Sequence, residues 1–460
     1  MCEAQTTSFL DHVNNYLNNQ TRNALPKKAL FLVGSNPLPL YVAAKALAPQ
    51  EIYLLGTPEV VEVMTSLTTL LNGIVVKKET CNGADSVDIK QKTNKLLGTE
   101  TDVWLFFTGG TKAMALHAYT AWKTNARPEH WAVYLSPKGS RIWLNSMSES
   151  FSLKPMEDDN GGELIYDVPK PSLENILQLH NMELKNCSDS HKKETYLNLA
   201  NKVHQYVIKK GIYTYLELLP PCHWEKAIIY VGTNKKQILC HNEEECPEKS
   251  LLHARGEIGF FDDKNFKKDS FHSLFSMKDW QNELQIDGDL KNLDVIGNAL
   301  RESTPPNEKK RKIARLNTLK WVEAQWLETW VANGLCTSCL FHEIRDSLVF
   351  KVRDMPDGHP EMDVCAMRGH TPFVFSCTID QKPGLGKHKL FEVRMRANQL
   401  GGEHARAAVV CLSENSAEVE KQLNQSWEGY GTIKVFGKED IINEGYFIEK
   451  LEEWVNKLEE

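Results

Sequence analysis

The chain has 460 residues, of which 41% are hydrophobic and 25% charged, a length that predicts two or three domains rather than one core. The formal net charge of −7 excludes a chain coated with nucleic-acid-binding charge, although it leaves room for a local basic groove. No apolar run approaches the roughly 18 residues of a membrane span, and the N-terminus lacks the apolar core of a signal peptide. The 11 cysteines follow no regular framework, which indicates reduced thiols. We therefore expect a cytoplasmic protein with no membrane partner.

Residues 29–136 alternate short apolar runs with helical patterns. The apolar runs predict strands at 29–33, 52–55, 74–76, 103–107 and 131–135. Strands that alternate with helices in this way indicate a parallel sheet covered on both faces. Ligands of such sheets bind beyond the carboxyl ends of the strands.

Polar turns follow two of these strands. One comprises Ser35, Asn36 and Pro37, and the other comprises Thr108, Gly109, Gly110, Thr111 and Lys112. A strand that breaks at glycine and restarts as a helix exposes backbone N–H groups and a positive helix end, which together bind phosphates. Lys112 adds a cation, and the two threonines add hydroxyl donors. On spacing alone, an ordinary strand-to-helix turn explains the glycines equally well.

Four carboxylates stand out in the C-terminal part. Glu328 lies in a predicted helix, Glu343 precedes a predicted strand, and Glu361 and Asp363 have the i, i+2 spacing that places them on one face of a strand. Hard divalent cations prefer such oxygen ligands and can orient water for phosphoryl chemistry. A single carboxylate at a strand end is more often a solvated surface residue.

The N-terminal turns resemble a known family. Residues 33–39 and 107–114 are similar to the two signature stretches of CRISPR-associated Rossmann-fold (CARF) domains. Those domains dimerise and bind cyclic oligoadenylates, the messengers of type III CRISPR systems. The resemblance implies a messenger site, with cyclic tetra-adenylate as the expected activator, lined by Ser35, Asn36, Pro37, Thr108, Gly109, Gly110, Thr111 and Lys112.

The C-terminal part resembles the restriction-endonuclease-like domain, of PD-(D/E)xK type, of CARF-fused nucleases. The similar stretches are 361–369, 374–378 and 397–407. Those enzymes cleave DNA, and some also RNA, with Mn²⁺ or Mg²⁺ when the messenger is bound. The resemblance implies metal ligands at Glu328, Glu361 and Asp363. It implies that Glu343, Ser376 and Thr378 complete the catalytic set.

One position departs from that pattern, because Thr378 stands where the family has a lysine. A threonine cannot supply the cation that the lysine brings to the scissile phosphate. Two alternatives follow. Either a lysine from the following loop, Lys382, Lys387 or Lys389, replaces it, or the domain is catalytically dead and the chain is a messenger-responsive nucleic-acid-binding sensor or regulator.

The predicted protein is thus a homodimeric α/β effector of antiviral defence. An N-terminal Rossmann-like CARF domain over residues 1–160 binds a cyclic oligoadenylate. A connecting region over 161–305 carries no motif, and a restriction-endonuclease-like α/β domain over 306–460 performs messenger-activated, metal-dependent cleavage of nucleic acid.

Overall fold

The computed structural model describes residues 27–98, 103–125, 131–136, 142–145, 150–155, 165–166, 169–219, 229–230, 237–238, 278–286, 296–298, 300, 317–318, 320–352, 360–379, 383–426 and 432–457. The described residues fall into two compact units. The first contains those up to Ser188, those from Gly334 to Ser376, and those from 383 onward. The second contains those between Asp189 and Asn333, together with 377–379.

The first unit opens with an eight-stranded sheet in the order β3-β2-β1-β4-β5-β6-β7-β8, as far as its strands are described. Its strands are β1 (Lys28–Leu32), β2 (Glu51–Gly56), β3 (Val75–Thr80), β4 (Val103–Phe106), β5 (Ala132–Leu135), β6 (Ile142–Asn145), β7 (Ser150–Pro155) and β8 (Ile165–Tyr166). Strands β1 to β5 pair in parallel, whereas β6 pairs antiparallel with both β5 and β7. The parallel part is Rossmann-like.

Helices cover both faces of this sheet, which is why its central strands are apolar throughout. They are α1 (Leu38–Leu47), α2 (Val61–Leu70), α3 (Ser86–Leu97) and α4 (Lys112–Asn125). Phe31 and Phe106 pack with α1 and α2 on one face, and Leu30 and Leu105 pack with α3 and α4 on the other. A strand buried on both faces needs side chains of low polarity at every position.

A second sheet of the first unit has six strands in the order β16-β15-β14-β13-β12-β9 within the described residues. Its strands are β9 (Met182–Asn186), β12 (Glu343–Val352), β13 (Glu361–Arg368), β14 (Thr371–Thr378), β15 (Arg406–Cys411) and β16 (Ile433–Phe436). Strands β12 and β14 flank β13 in an antiparallel meander, and β15 and β16 are parallel. The helices of this part are α5 (Leu173–Leu179), α10 (Pro383–Gly401), α11 (Ser416–Ser426) and α12 (Glu444–Lys457).

One hydrophobic cluster joins the two sheets of the first unit. It runs from Phe31 in β1 through Ile176 in α5 to Leu390 in α10 and Val409 in β15. Strand β9, which lies in the predicted connecting region, pairs antiparallel with β12 and so belongs to the second sheet. The predicted domain boundaries at 160 and 305 lie outside the described residues and stay predictions.

The second unit is mainly helical where it is described. It contains α6 (Glu194–Lys210), α7 (Ile212–Glu217), α8 (Lys278–Glu283), the strand pair β10 (Ile229–Tyr230) and β11 (Gln237–Ile238), and the start of α9 (Trp326–Thr337). The sequence predicts helical structure over 195–218, which is confirmed, and the structure adds a break at Gly211, where α6 ends and α7 begins. His204 of α6 stacks on Trp330 of α9 with ring centroids 4.0 Å apart.

The predicted fold class is confirmed. The chain is α/β, with an N-terminal Rossmann-like sheet and a second sheet in the C-terminal part. None of the described helices is long and apolar enough to cross a membrane.

Candidate functional site

The two predicted phosphate-binding turns lie side by side. Strands β1 and β4 are parallel neighbours, although the chain visits β2 and β3 between them. The order of the strands therefore reverses at this pair, which is where ligands of open α/β sheets bind. The turn from β1 into α1 and the turn from β4 into α4, hereafter the paired turns, leave the sheet at this position.

Glycines bring the backbones of the paired turns into direct contact. A Cβ atom on Gly34 would lie 2.8 Å from the backbone nitrogen of Gly110, and one on Gly109 would overlap the carbonyl oxygen of Leu32. Gly110 also has a φ of 77°, a conformation that favours glycine. Side chains at these positions would force the turns apart, so the close approach of the two backbones depends on the glycines.

Both helices that leave the paired turns begin without an acidic residue in their first turn. The positive ends of two helix dipoles therefore point to one edge of the sheet with no internal counter-charge. Ser35, Thr111 and Lys112 are exposed at this edge, whereas Pro37 is buried. The arrangement suits a polyanion that contacts several backbone N–H groups at once.

The two threonine hydroxyls have structural partners. Thr111 Oγ1 donates to the carbonyl of Gly83 at 2.7 Å and accepts from the N–H of Met114 at 3.1 Å, which caps α4. Thr108 Oγ1 accepts from the N–H of Leu135 at 2.7 Å and so ties the end of β4 to β5. Their contribution to a ligand site stays a prediction, as it does for the glycines and Lys112.

Asn36 is engaged at both ends of its side-chain amide. Its Oδ1 accepts from the N–H of Leu38 at 3.1 Å, at the start of α1. Its Nδ2 donates to the carbonyl oxygen of Gly401 at 2.9 Å, at the end of α10. The β1–α1 turn is therefore bonded to the second sheet's longest helix.

The second predicted site lies on the central hairpin of the second sheet. Glu361 is exposed and Asp363 half-buried, while Met362 between them is buried on the opposite face of β13. Ser376 of β14 donates its hydroxyl hydrogen to Asp363 Oδ2 at 2.9 Å. The structure thus brings Asp363 and Ser376 together, with Glu361 on the same face of the strand.

Glu343 lies farther along the same face. It pairs with Met367 in the β12–β13 register. Met367 is four positions beyond Asp363 in β13, so Glu343 lies about 13 Å from Asp363 along the strand direction. Its Oε2 accepts from the N–H of Leu173 at 2.8 Å, at the start of α5, and its Oε1 accepts from Arg345 Nε at 3.1 Å. The carboxylate of Glu343 anchors a helix end in this structure, and its catalytic role stays a prediction.

Glu328 and Thr378 fall in the second unit, so their relation to the hairpin carboxylates stays a prediction. Glu328 is buried on α9, and Thr378 is half-buried at the last position of β14. Of the lysines considered as substitutes for the missing cation, Lys382 lies outside the described residues. Lys389 lies 3.9 Å from Glu392 in a helical ion pair.

Comparisons of the fold place this chain beside two solved structures. Protein VC1899 from Vibrio cholerae aligns with a TM-score of 0.56 and 13% identity over 93% of this chain and 98% of that one. Can2 from Sulfobacillus thermosulfidooxidans, solved in complex with cyclic tetra-adenylate, aligns with a TM-score of 0.58 and 13% identity over 93% and 99%. This chain shares their fold. No family model and no curated protein matches the sequence.

Two features of the site escaped the sequence analysis. Gly34 makes the close approach between the paired turns, and Gly401 and Gly402 meet Asn36 at the end of α10. The glycine before Ser35 and the glycine pair after the α10 pattern are visible in the sequence, and they are the signals that could have found these contacts.

Proposed function

We propose that the first unit senses a cyclic oligoadenylate at the paired turns, with cyclic tetra-adenylate as the first candidate, in type III CRISPR defence. The observation that carries the proposal is the direct backbone contact between two glycine-containing turns at the strand-order reversal. The comparison with Can2 supports the proposal, because Can2 shares the fold and was solved with cyclic tetra-adenylate. A ring with two-fold symmetry fits a binding site that has two-fold symmetry. Two copies of this chain related by a two-fold axis form such a site, so the active form in this proposal is a homodimer.

The response domain in this proposal is the second sheet, acting on DNA or RNA. Asp363 and Glu361 on one face of β13 offer the oxygen ligands that Mg²⁺ and Mn²⁺ prefer, and Mg²⁺ needs few protein ligands because it keeps several waters. The donor set therefore fits such an ion. When bound there, the ion supplies charge stabilisation for phosphodiester cleavage. Asp363 is held in place by Ser376, and Glu361 is exposed to solvent.

The second candidate function is a catalytically dead domain that binds nucleic acid in response to the messenger. Two side chains favour it. Thr378 brings no cation to the substrate phosphate, and Ser376 already occupies one oxygen of Asp363. A messenger-dependent gel shift of DNA or RNA without cleavage would select this function over the nuclease.

Titration calorimetry with cyclic tetra-adenylate tests the sensor. The wild-type chain should bind the ring, and Lys112→Ala should weaken binding by roughly tenfold or more, because a hydrogen bond to a charged group contributes about 1.5–3 kcal/mol. Lys123→Ala is the matched control, since Lys123 is exposed on the same helix, 11 positions and about 16 Å farther along. No binding by the wild-type chain would overturn the proposed function, and equal affinities in both variants would remove Lys112 from the site.

A further inference from the structure

The contact between Asn36 and Gly401 joins the paired turns to α10, two elements that are 365 positions apart in the sequence. The side-chain amide of Asn36 is hydrogen-bonded to both elements, so it cannot move with one of them alone. Its oxygen is held by Leu38 in its own turn, and its nitrogen is held by Gly401 at the end of α10. Because such bonds tolerate only a few tenths of an ångström of stretch, a shift of the turn must move α10 or break the bond.

The receiving side of this contact is built to fit the asparagine closely. Gly402 has a φ of 58°, and a Cβ atom there would overlap Asn36 Nδ2. The corner that follows is tied together by Arg406, whose Nη1 donates to the carbonyl oxygens of Glu403, His404 and Ala405. A displacement at Gly401 therefore acts on a rigid corner rather than on a loose loop.

Helix α10 can carry such a displacement across the second sheet. It has 19 residues, which corresponds to about 28 Å, and it begins five positions after Thr378 in the sequence. Its buried residues Leu390, Val393, Ala397 and Leu400 pack in the cluster that holds the strands of this sheet. A packed helix of this kind moves as a unit.

We propose that Asn36 is a positioning residue that couples occupation of the paired turns to the position of α10. The inference rests on the proposed function, since it needs a phosphate ligand at the paired turns. It assigns to Asn36 a role different from ligand contact: Asn36 transmits the movement of the turn through Gly401, while the backbone N–H groups beside it bind the ring. Such coupling between two sites is reciprocal in free energy.

Hydrogen–deuterium exchange of α10, measured with and without cyclic tetra-adenylate, tests this role. Gly402→Ala changes this contact from the α10 side, because its Cβ atom would overlap Asn36 Nδ2, and it leaves the residues of the paired turns unchanged. We expect this variant, once thermal unfolding has shown that it is folded, to bind the ring while the ligand-induced change in exchange at the last turn of α10 falls by roughly fivefold or more, the lower end of typical coupling.

Gly445→Ala is the matched control, because Gly445 lies in the first turn of α12 and a Cβ atom there would have its nearest neighbour at an ordinary 3.4 Å. It should respond to the ring as the wild-type chain does. The inference is overturned if Gly402→Ala keeps the full response in α10, if it loses binding altogether, or if the wild-type chain binds the ring without any change in α10. Failure of the wild-type chain to bind the ring is a separate outcome, which overturns the proposed function and is seen before any variant is compared.

Discussion

The paired turns and the β13–β14 hairpin are predicted sites made from different chemical groups. The turns present backbone N–H groups and helix ends, whose placement depends on Gly34, Gly109 and Gly110. The hairpin presents side chains, of which Asp363 is the best positioned and is hydrogen-bonded by Ser376. A backbone site tolerates most changes in neighbouring side chains, because every residue except proline carries an N–H group.

A site made of side chains has no such tolerance. One substitution can remove its cation, as Thr378 does relative to the family pattern. The two proposed functions, sensing at the paired turns and cleavage at the hairpin, can therefore be lost independently of each other. Experiments can separate them, since each site can be changed without touching the other.

The largest effect is expected from Thr378→Lys, which gives the hairpin the missing cation. We expect Mn²⁺-dependent nicking of supercoiled plasmid, in the presence of cyclic tetra-adenylate, to rise on the order of 10²-fold, as for other groups that stabilise transition-state charge. Thr371→Lys, at the other end of β14, is the control and should give no gain. Equal nicking before and after the change would mean that another lysine already fills this role.

Gly109→Ala should break the paired turns. The added methyl group overlaps the carbonyl of Leu32, and overpacking of this kind costs about 1–3 kcal/mol. We expect a Tm lower by several degrees in thermal unfolding and loss of cyclic tetra-adenylate binding in calorimetry. Gly445→Ala, whose nearest neighbour would lie at an ordinary 3.4 Å, should change neither. Intact binding in the Gly109 variant would contradict a backbone-built site.

We expect the loss of folding stability in acid to arise from a group in the second sheet rather than in the first. Burial, with a contribution from Arg406, lowers the pKa of His370 to about 4. The unfolded chain takes up this proton near pH 6.5 and the folded chain only near pH 4, so stability is lost as the pH falls through that window, by about 2 kcal/mol between pH 7 and pH 5. His370→Phe should reduce the drop in Tm between these pH values. An unchanged drop in the His370 variant would contradict this assignment.

The smallest effect is expected from Glu343→Gln. This change tests whether the carboxylate only anchors the start of α5 or also takes part in catalysis. Glu343→Gln keeps an acceptor for the N–H of Leu173 but removes the ion pair with Arg345. The side chain of Glu343 is 17% exposed and that of Arg345 is 26% exposed, so the pair is partly screened by solvent. We expect a loss of about 1 kcal/mol, measured as a slightly lower Tm, and no change in Mn²⁺-dependent cleavage in the Thr378→Lys background. Cleavage that falls by orders of magnitude at an unchanged Tm would instead place Glu343 in the catalytic set.

The sequence alone was sufficient for the fold class and for the location of the paired turns. The pattern of apolar and polar residues is a local property, and it marked β1, β2, β4 and β5 within one or two positions of their observed bounds. Glycine after a buried strand is likewise a local signal, because only the backbone conformation and close approach at that point require it. These features did not depend on knowing which elements are neighbours in space.

The partners of polar atoms were decided only by the tertiary structure. Nothing near Asn36 in the sequence indicates that its amide meets Gly401, and nothing near Glu343 indicates that it holds the start of α5. Strand β9 likewise joined the second sheet although no local pattern assigned it there. A hydrogen bond between distant residues depends on where the core brings their backbones together, and local periodicity does not encode that position.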